Sequence, residues 1–163
     1  MMNGPSVSCG VDASQDVWYK FVATDSIMQI SVKSVTGLNL GFEVRENSCT
    51  ASVMNCTNRV GANATEVFYS SYFVPSLTYY VRVFNTVATL SELNFDICVV
   101  GYIKPANDAC DDAETLRAYE SCRPTLGTFS GAMLNGSSVS CAMSATQDVW
   151  YKFVATDSIM QIS

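Results

Sequence analysis

Asp16-Val17-Trp18-Tyr19-Lys20-Phe21-Val22-Ala23, Thr24-Asp25-Ser26, Ile27-Met28-Gln29-Ile30-Ser31 reads as strand, turn and strand, and the whole stretch returns unchanged at residues 148–163. At the same offset of 132 residues Asn3-Gly4 meets Asn135-Gly136, and Ser6-Val7-Ser8-Cys9 meets Ser138-Val139-Ser140-Cys141. All but six of the first 31 positions recur, and the six that differ precede Asp16 in a Gly-, Ser- and Pro-containing segment with the composition of a loop. A period this long exceeds the roughly 20–50 residues of a solenoid unit and fits a complete domain, so the chain is a piece of a tandem array. Its 163 residues hold one period and the opening of the next.

Within residues 16–23 apolar side chains occupy both faces, which predicts a central strand. Met28, Ile30 and Val32 alternate with Gln29, Ser31 and Lys33; Leu38, Leu40, Phe42 and Val44 alternate with Asn39, Gly41, Glu43 and Arg45, the pattern of a half-buried strand. Further strands are predicted on Val67, Tyr69, Ser71 and Phe73, on Leu77, Tyr79, Val81 and Val83, and on Leu93, Phe95, Ile97 and Val99. Residues 46–66 are polar and read as an exposed excursion, and a short turn of helix is predicted near residues 112–119. Strands at spacings near ten residues give an all-β chain, an antiparallel β-sandwich with jelly-roll-like or immunoglobulin-like packing. Strand patterning stops at Ile103-Lys104-Pro105-Ala106-Asn107-Asp108, a linker. The expected domains are residues 1–104, a sandwich without its opening segment, and 105–163, the start of the next repeat. The fragment is out of register, and residues 105–132 are a candidate to complete the first domain as a circular permutant.

Composition removes several classes of function. Hydrophobic residues make up 48% and charged ones 15%, the balance of a folded β-rich chain. A net charge of −6 and a pI near 4.4 leave no basic surface for nucleic acid or an anionic membrane. The sequence holds no apolar run of membrane-spanning length and no signal-peptide pattern. With no histidine, neither a Ser-His-Asp triad nor a His-ligated zinc is available, and no carboxylate pair is singled out for glycoside hydrolysis. The expectation is a chain without catalytic activity.

The period also sorts the cysteines: Cys9, Cys49, Cys56, Cys98, Cys110 and Cys122 form one set of six, and Cys141 repeats Cys9. No spacing is that of a zinc or thioredoxin site, so disulfides in an oxidising compartment are expected. Cys49 and Cys56 bracket a short loop suited to a crosslink; the other pairings stay open among fifteen connectivities.

Asn107-Asp108-Ala109-Cys110, Glu120-Ser121-Cys122, Gly127-Thr128, Gly131-Ala132, Cys141 and Asp148-Val149-Trp150-Tyr151-Lys152-Phe153 resemble the opening of the bacterial pre-peptidase C-terminal-like domain. Asn47-Ser48-Cys49, Asn55-Cys56, Leu77-Thr78-Tyr79-Tyr80-Val81-Arg82-Val83 and Phe95-Asp96-Ile97-Cys98 are similar to its middle ribbon and closing strands, as found in repeat-bearing surface proteins of Bacteroidetes. Ser76 stands where that family has a glycine. The resemblance implies a secreted or cell-surface, non-catalytic module in tandem, some of whose relatives bind polysaccharide, collagen or calcium.

Three functional readings follow. In the first the module serves adhesion or carbohydrate binding, with a polysaccharide or an extracellular matrix or surface protein as partner. Trp18, Tyr72, Tyr80, Arg82 and Phe84 are then the candidate ligand-binding residues, since exposed rings stack on sugars, although cross-strand packing and cation–π contacts use the same residues. In the second it is a disulfide-stapled spacer without ligand, its partners the neighbouring repeats. In the third it is an accessory domain of a secreted peptidase. Asn107, Asp108, Asp111 and Asp112 offer hard oxygen donors to a structural Ca²⁺, without the spacing of an EF-hand; helix capping in a solvated linker is the alternative use of the same residues. No cofactor is otherwise required, and the expected location is extracellular or at the cell surface.

Overall fold

The computed structural model describes residues 7–9, 13, 15–86, 94–135, 139–142 and 144–162. The chain divides into two compact units, Met1–Tyr102 and Ile103–Ser163. The first is a β-sandwich. Its strands are β1 (Gln15–Val22), β2 (Ile27–Ser34), β3 (Leu40–Glu46), β4 (Val53–Thr57), β5 (Thr65–Ser70), β6 (Thr78–Asn85) and β7 (Phe95–Tyr102). They form two antiparallel sheets, ordered β1-β6-β3-β4 and β5-β2-β7.

Period-two alternation explains the core. Met28, Ile30 and Val32 from one sheet meet Leu40, Phe42, Val44, Tyr79, Val81 and Val83 from the other, with Ala23 and Phe73 closing one end. Each such side chain contributes on the order of 1.5–3 kcal/mol by leaving water. Phe73 sits edge-on to Tyr79 at 4.8 Å, and the Tyr79 hydroxyl accepts the Val74 N–H at 2.9 Å, which fixes the turn into β6. Ser76 holds a φ of 70° in that turn, the left-handed region glycine adopts without a Cβ penalty.

The structure corrects several expectations. β1 is an edge strand, not a central one: β6 flanks it on one side, and among the described residues no strand flanks it on the other. Its two apolar faces have separate uses. Tyr19 and Phe21 reach Phe95 and Phe73, whereas Trp18 lies against guanidinium groups on the outer face. A two-faced composition therefore reported covered faces and not covered edges. β3 is buried on both faces, and the polar excursion contains β4. In β5 Val67 and Tyr69 point outward while Glu66 and Ser70 are buried. Residue 93 of the last predicted strand lies outside the described residues.

Cys9 pairs with Cys56 across 47 residues, and Cys49 is an exposed free thiol, so the expected Cys49–Cys56 crosslink does not form. The reason is the register: Cys56 stands opposite Glu43 on the outer face of the sheet, beneath the segment that carries Cys9.

The second unit contains a 3₁₀ turn at Cys110–Asp112, then β8 (Glu114–Thr115) paired in parallel with β9 (Tyr151–Lys152). Residues 112–119 thus carry a strand where a helical turn was expected. The identical segments of the two units have different surroundings: Ile30 is 0% exposed, whereas Ile162, its repeat, is 78% exposed. No described helix is long and apolar enough to cross a membrane.

Candidate functional site

The outer face of the four-stranded sheet gathers most of the residues singled out by sequence. Cross-strand register aligns Trp18 with Arg82, Arg82 with Glu43, and Glu43 with Cys56, one row across four strands. Arg82 is 2% exposed; its Nε donates to Asp16 Oδ2 at 2.5 Å, and its Nη1 lies 3.9 Å from Glu43 Oε2. Arg45, two residues along β3 and so on the same face, donates from Nη2 to Glu43 Oε2 at 3.0 Å and from Nη1 to the Ala51 carbonyl at 2.7 Å. Two acids and two guanidiniums therefore balance, with Glu43 and Arg82 buried and Asp16 at the solvent margin, and pairing is the condition under which buried charge is tolerated.

The segment of residues 7–9 lies over Glu43. Val7 is buried, the Ser8 N–H donates to Glu43 Oε1, and Cys9 is tied to Cys56. Burial works to raise the Glu43 pKa, but the Ser8 N–H and the Arg45 guanidinium outweigh it and hold the carboxyl below its ordinary value. Trp18 completes the face, its ring centre 5.7 Å from Arg82 Cζ and 6.0 Å from Arg45 Cζ.

Of the five candidate ligand-binding residues the fold places four, Trp18, Tyr80, Arg82 and Phe84, on this face, with unequal access. Trp18 is 36% exposed and Tyr80 half-buried, but Arg82 and Phe84 are buried. Phe84 fills the space over Gly41, where any Cβ would collide with its ring. Tyr72 is 82% exposed and follows β5 in the other sheet, away from the row. The row is thus an internal polar network with one indole at its margin. Asp16, Glu43 and Arg45 belong to it, and Glu43 and Arg45 escaped the sequence reading. The spacing of Glu43 and Arg45 at i and i+2 puts two charges on one strand face, a usable signal; that Arg82 lies beside them requires the strand order.

Asp16, Val17, Leu38, Val83, Phe84 and Phe95, among others, line a pocket of about 240 Å³ where β1 and β6 meet the start of β7. It is mainly apolar and smaller than the roughly 300–1,000 Å³ of ordinary small-molecule sites.

In the second unit the four candidate calcium ligands have distinct roles. Asp108 is buried and accepts the Met133 N–H at 2.7 Å and the Asn135 amide at 2.6 Å, with Lys104 at 3.3 Å. Asn107 clasps Trp150, donating from its side chain to the Trp150 carbonyl at 3.0 Å and accepting the Trp150 N–H at 2.8 Å. Asp111 and Asp112 are exposed on the 3₁₀ turn. Among the described residues no group of three or more His, Cys, Asp or Glu side chains converges on a point that would hold a metal ion.

No protein-family model matches the chain, and no curated protein matches it in sequence.

Proposed function

We propose that the chain belongs to a secreted or cell-surface array of non-catalytic β-sandwich modules, and that the module is a disulfide-stapled spacer that holds neighbouring domains in position. The observation that carries this reading is the use of the outer face: Arg82 is spent on Asp16 and Glu43, Phe84 on Gly41, and Glu43 on the segment pinned by Cys9–Cys56. Groups so engaged stiffen the module and leave little for a ligand. The disulfide supports an oxidising compartment, and the absence of histidine from the sequence supports a non-catalytic role.

Adhesion through carbohydrate is the second reading, and one observation favours it: Trp18 keeps part of its ring in solvent beside half-buried Tyr80. An array of surface glycans probed with the oxidised chain, with and without Ca²⁺, separates the two. The spacer reading expects no selective binding under either condition. Selective binding abolished by joint Trp18→Ala and Trp150→Ala substitution, in a chain that keeps its unfolding transition, would replace it with the adhesive one.

A further inference from the structure

We infer that the outer edge of β1 is an acceptor for the segment around β8 of a second copy of this chain, so that copies join head to tail by strand addition. The repeat makes the case. Residues 148–163 are identical to residues 16–31, so the second unit displays what this sequence accepts along its edge. There the Trp150 N–H donates to the Asn107 carbonyl, the Trp150 carbonyl accepts the Glu114 N–H at 3.0 Å, and the Lys152 carbonyl accepts the Leu116 N–H at 2.7 Å. The counterparts of Trp150 and Lys152 are Trp18 and Lys20.

On β1 those same backbone groups point away from β6. The Ala23 N–H bonds to Leu77 on the β6 side, at 2.9 Å. Alternation along the strand then directs Phe21, Tyr19 and Val17 toward β6, and Val22, Lys20, Trp18 and Asp16 outward. The Asn47 N–H to Thr78 carbonyl bond confirms the parity from the far side: Thr78 faces β3, so Tyr79, the partner of Phe21, faces β1. The even-numbered groups of this sequence bond β8 and its neighbours in one unit and have no described strand beside them in the other. An uncovered strand edge is a template for pairing, and β1 carries exposed Val17, Tyr19 and Val22 with only Lys20 as a charge in its middle.

The exchange is also favourable in packing. β9 is followed by exposed Phe153, Val154, Ile159 and Ile162, whereas β1 belongs to a four-stranded sheet and packs Tyr19 and Phe21 on Phe95 and Phe73. Moving β8 from the former to the latter trades a two-residue ladder on an unbacked strand for one on a backed strand. Each copy offers one donor and one acceptor that are not the same surface, so the contact is heterologous and builds rings or filaments of more than two copies. This inference is independent of whether the module binds a glycan.

The transposed register pairs Glu114 with Tyr19 and Thr115 with Lys20. The test is a crosslink between two chains, one carrying Lys20→Cys and the other Thr115→Cys, each also carrying Cys49→Ser, Cys98→Ser, Cys110→Ser, Cys122→Ser and Cys141→Ser. Mixing and mild oxidation should give the covalent heterodimer as the main product, and Thr128→Cys in place of Thr115→Cys should not. Sedimentation of the unaltered chain should show a concentration-dependent ladder of oligomers, which keeps the test decisive if the variants fold poorly. A single monomer at every concentration overturns the inference. So does a closed crosslink within one chain carrying both Lys20→Cys and Thr115→Cys, with no dimer.

Discussion

Glu43 keeps its charge where water does not reach, because three neighbours compensate it: the Ser8 N–H, Arg45 and, further off, Arg82. Removing one partner from such a set strands the others, at a cost of about 3–5 kcal/mol for buried pairs. Glu43→Gln should therefore lower the stability of the first unit by about that amount at neutral pH, read from the urea midpoint. The pH dependence follows from the direction of the shift. A carboxyl whose folded pKa lies below its ordinary value of 4.5 contributes fully above that value, and the contribution is lost as the pH falls through the folded pKa. The unaltered chain should lose stability on acidification below 4.5, and Glu43→Gln should flatten that slope. An equal slope in both proteins would mean that the charge of Glu43 is not what the network holds.

At the scale of elements the Cys9–Cys56 bond joins the segment over the outer face to β4 and closes a loop of 47 residues. On the chain-entropy model a loop of that length is worth roughly 4 kcal/mol through restriction of the unfolded state. Cys9→Ser should cost close to that and free the segment over Glu43, whereas Cys49→Ser should leave the thermal midpoint unchanged; the opposite pattern would restore the Cys49–Cys56 pairing. The alternation was legible in β2 and β7, whereas in β5 the apolar residues Val67 and Tyr69 mark the wet face and Glu66 and Ser70 the buried one. Legibility failed where a covering element comes from far along the chain. Gly41, Glu43 and Arg45 read as a solvent face because nothing local announces that Phe84 will lie over Gly41, residues 7–9 over Glu43 and Trp18 beside Arg45. Half of the outer row was legible for the same reason: aromatic and cationic residues on β1 and β6 show their face by parity, but whether they are occupied depends on β3, distant from both along the chain.

For the whole molecule the repeat supplies an internal control, since one sequence is placed in two environments and everything that differs between them is tertiary. Residues 27–30 form a strand between β5 and β7 with Met28 and Ile30 in the core, while residues 159–162, the same four residue types in the same order, lie exposed outside any strand. Intrinsic propensity is equal by identity of sequence, so the strand at residues 27–30 owes its existence to its neighbours. Amide exchange followed by NMR, which resolves the two copies where peptide masses cannot, should show the amides of 27–30 exchanging only with global opening of the first unit. Those of 159–162 should exchange orders of magnitude faster, near the rate of an unstructured chain. Equal protection would mean that residues 159–162 find a sandwich of their own, and the two units would then be equivalent in solution.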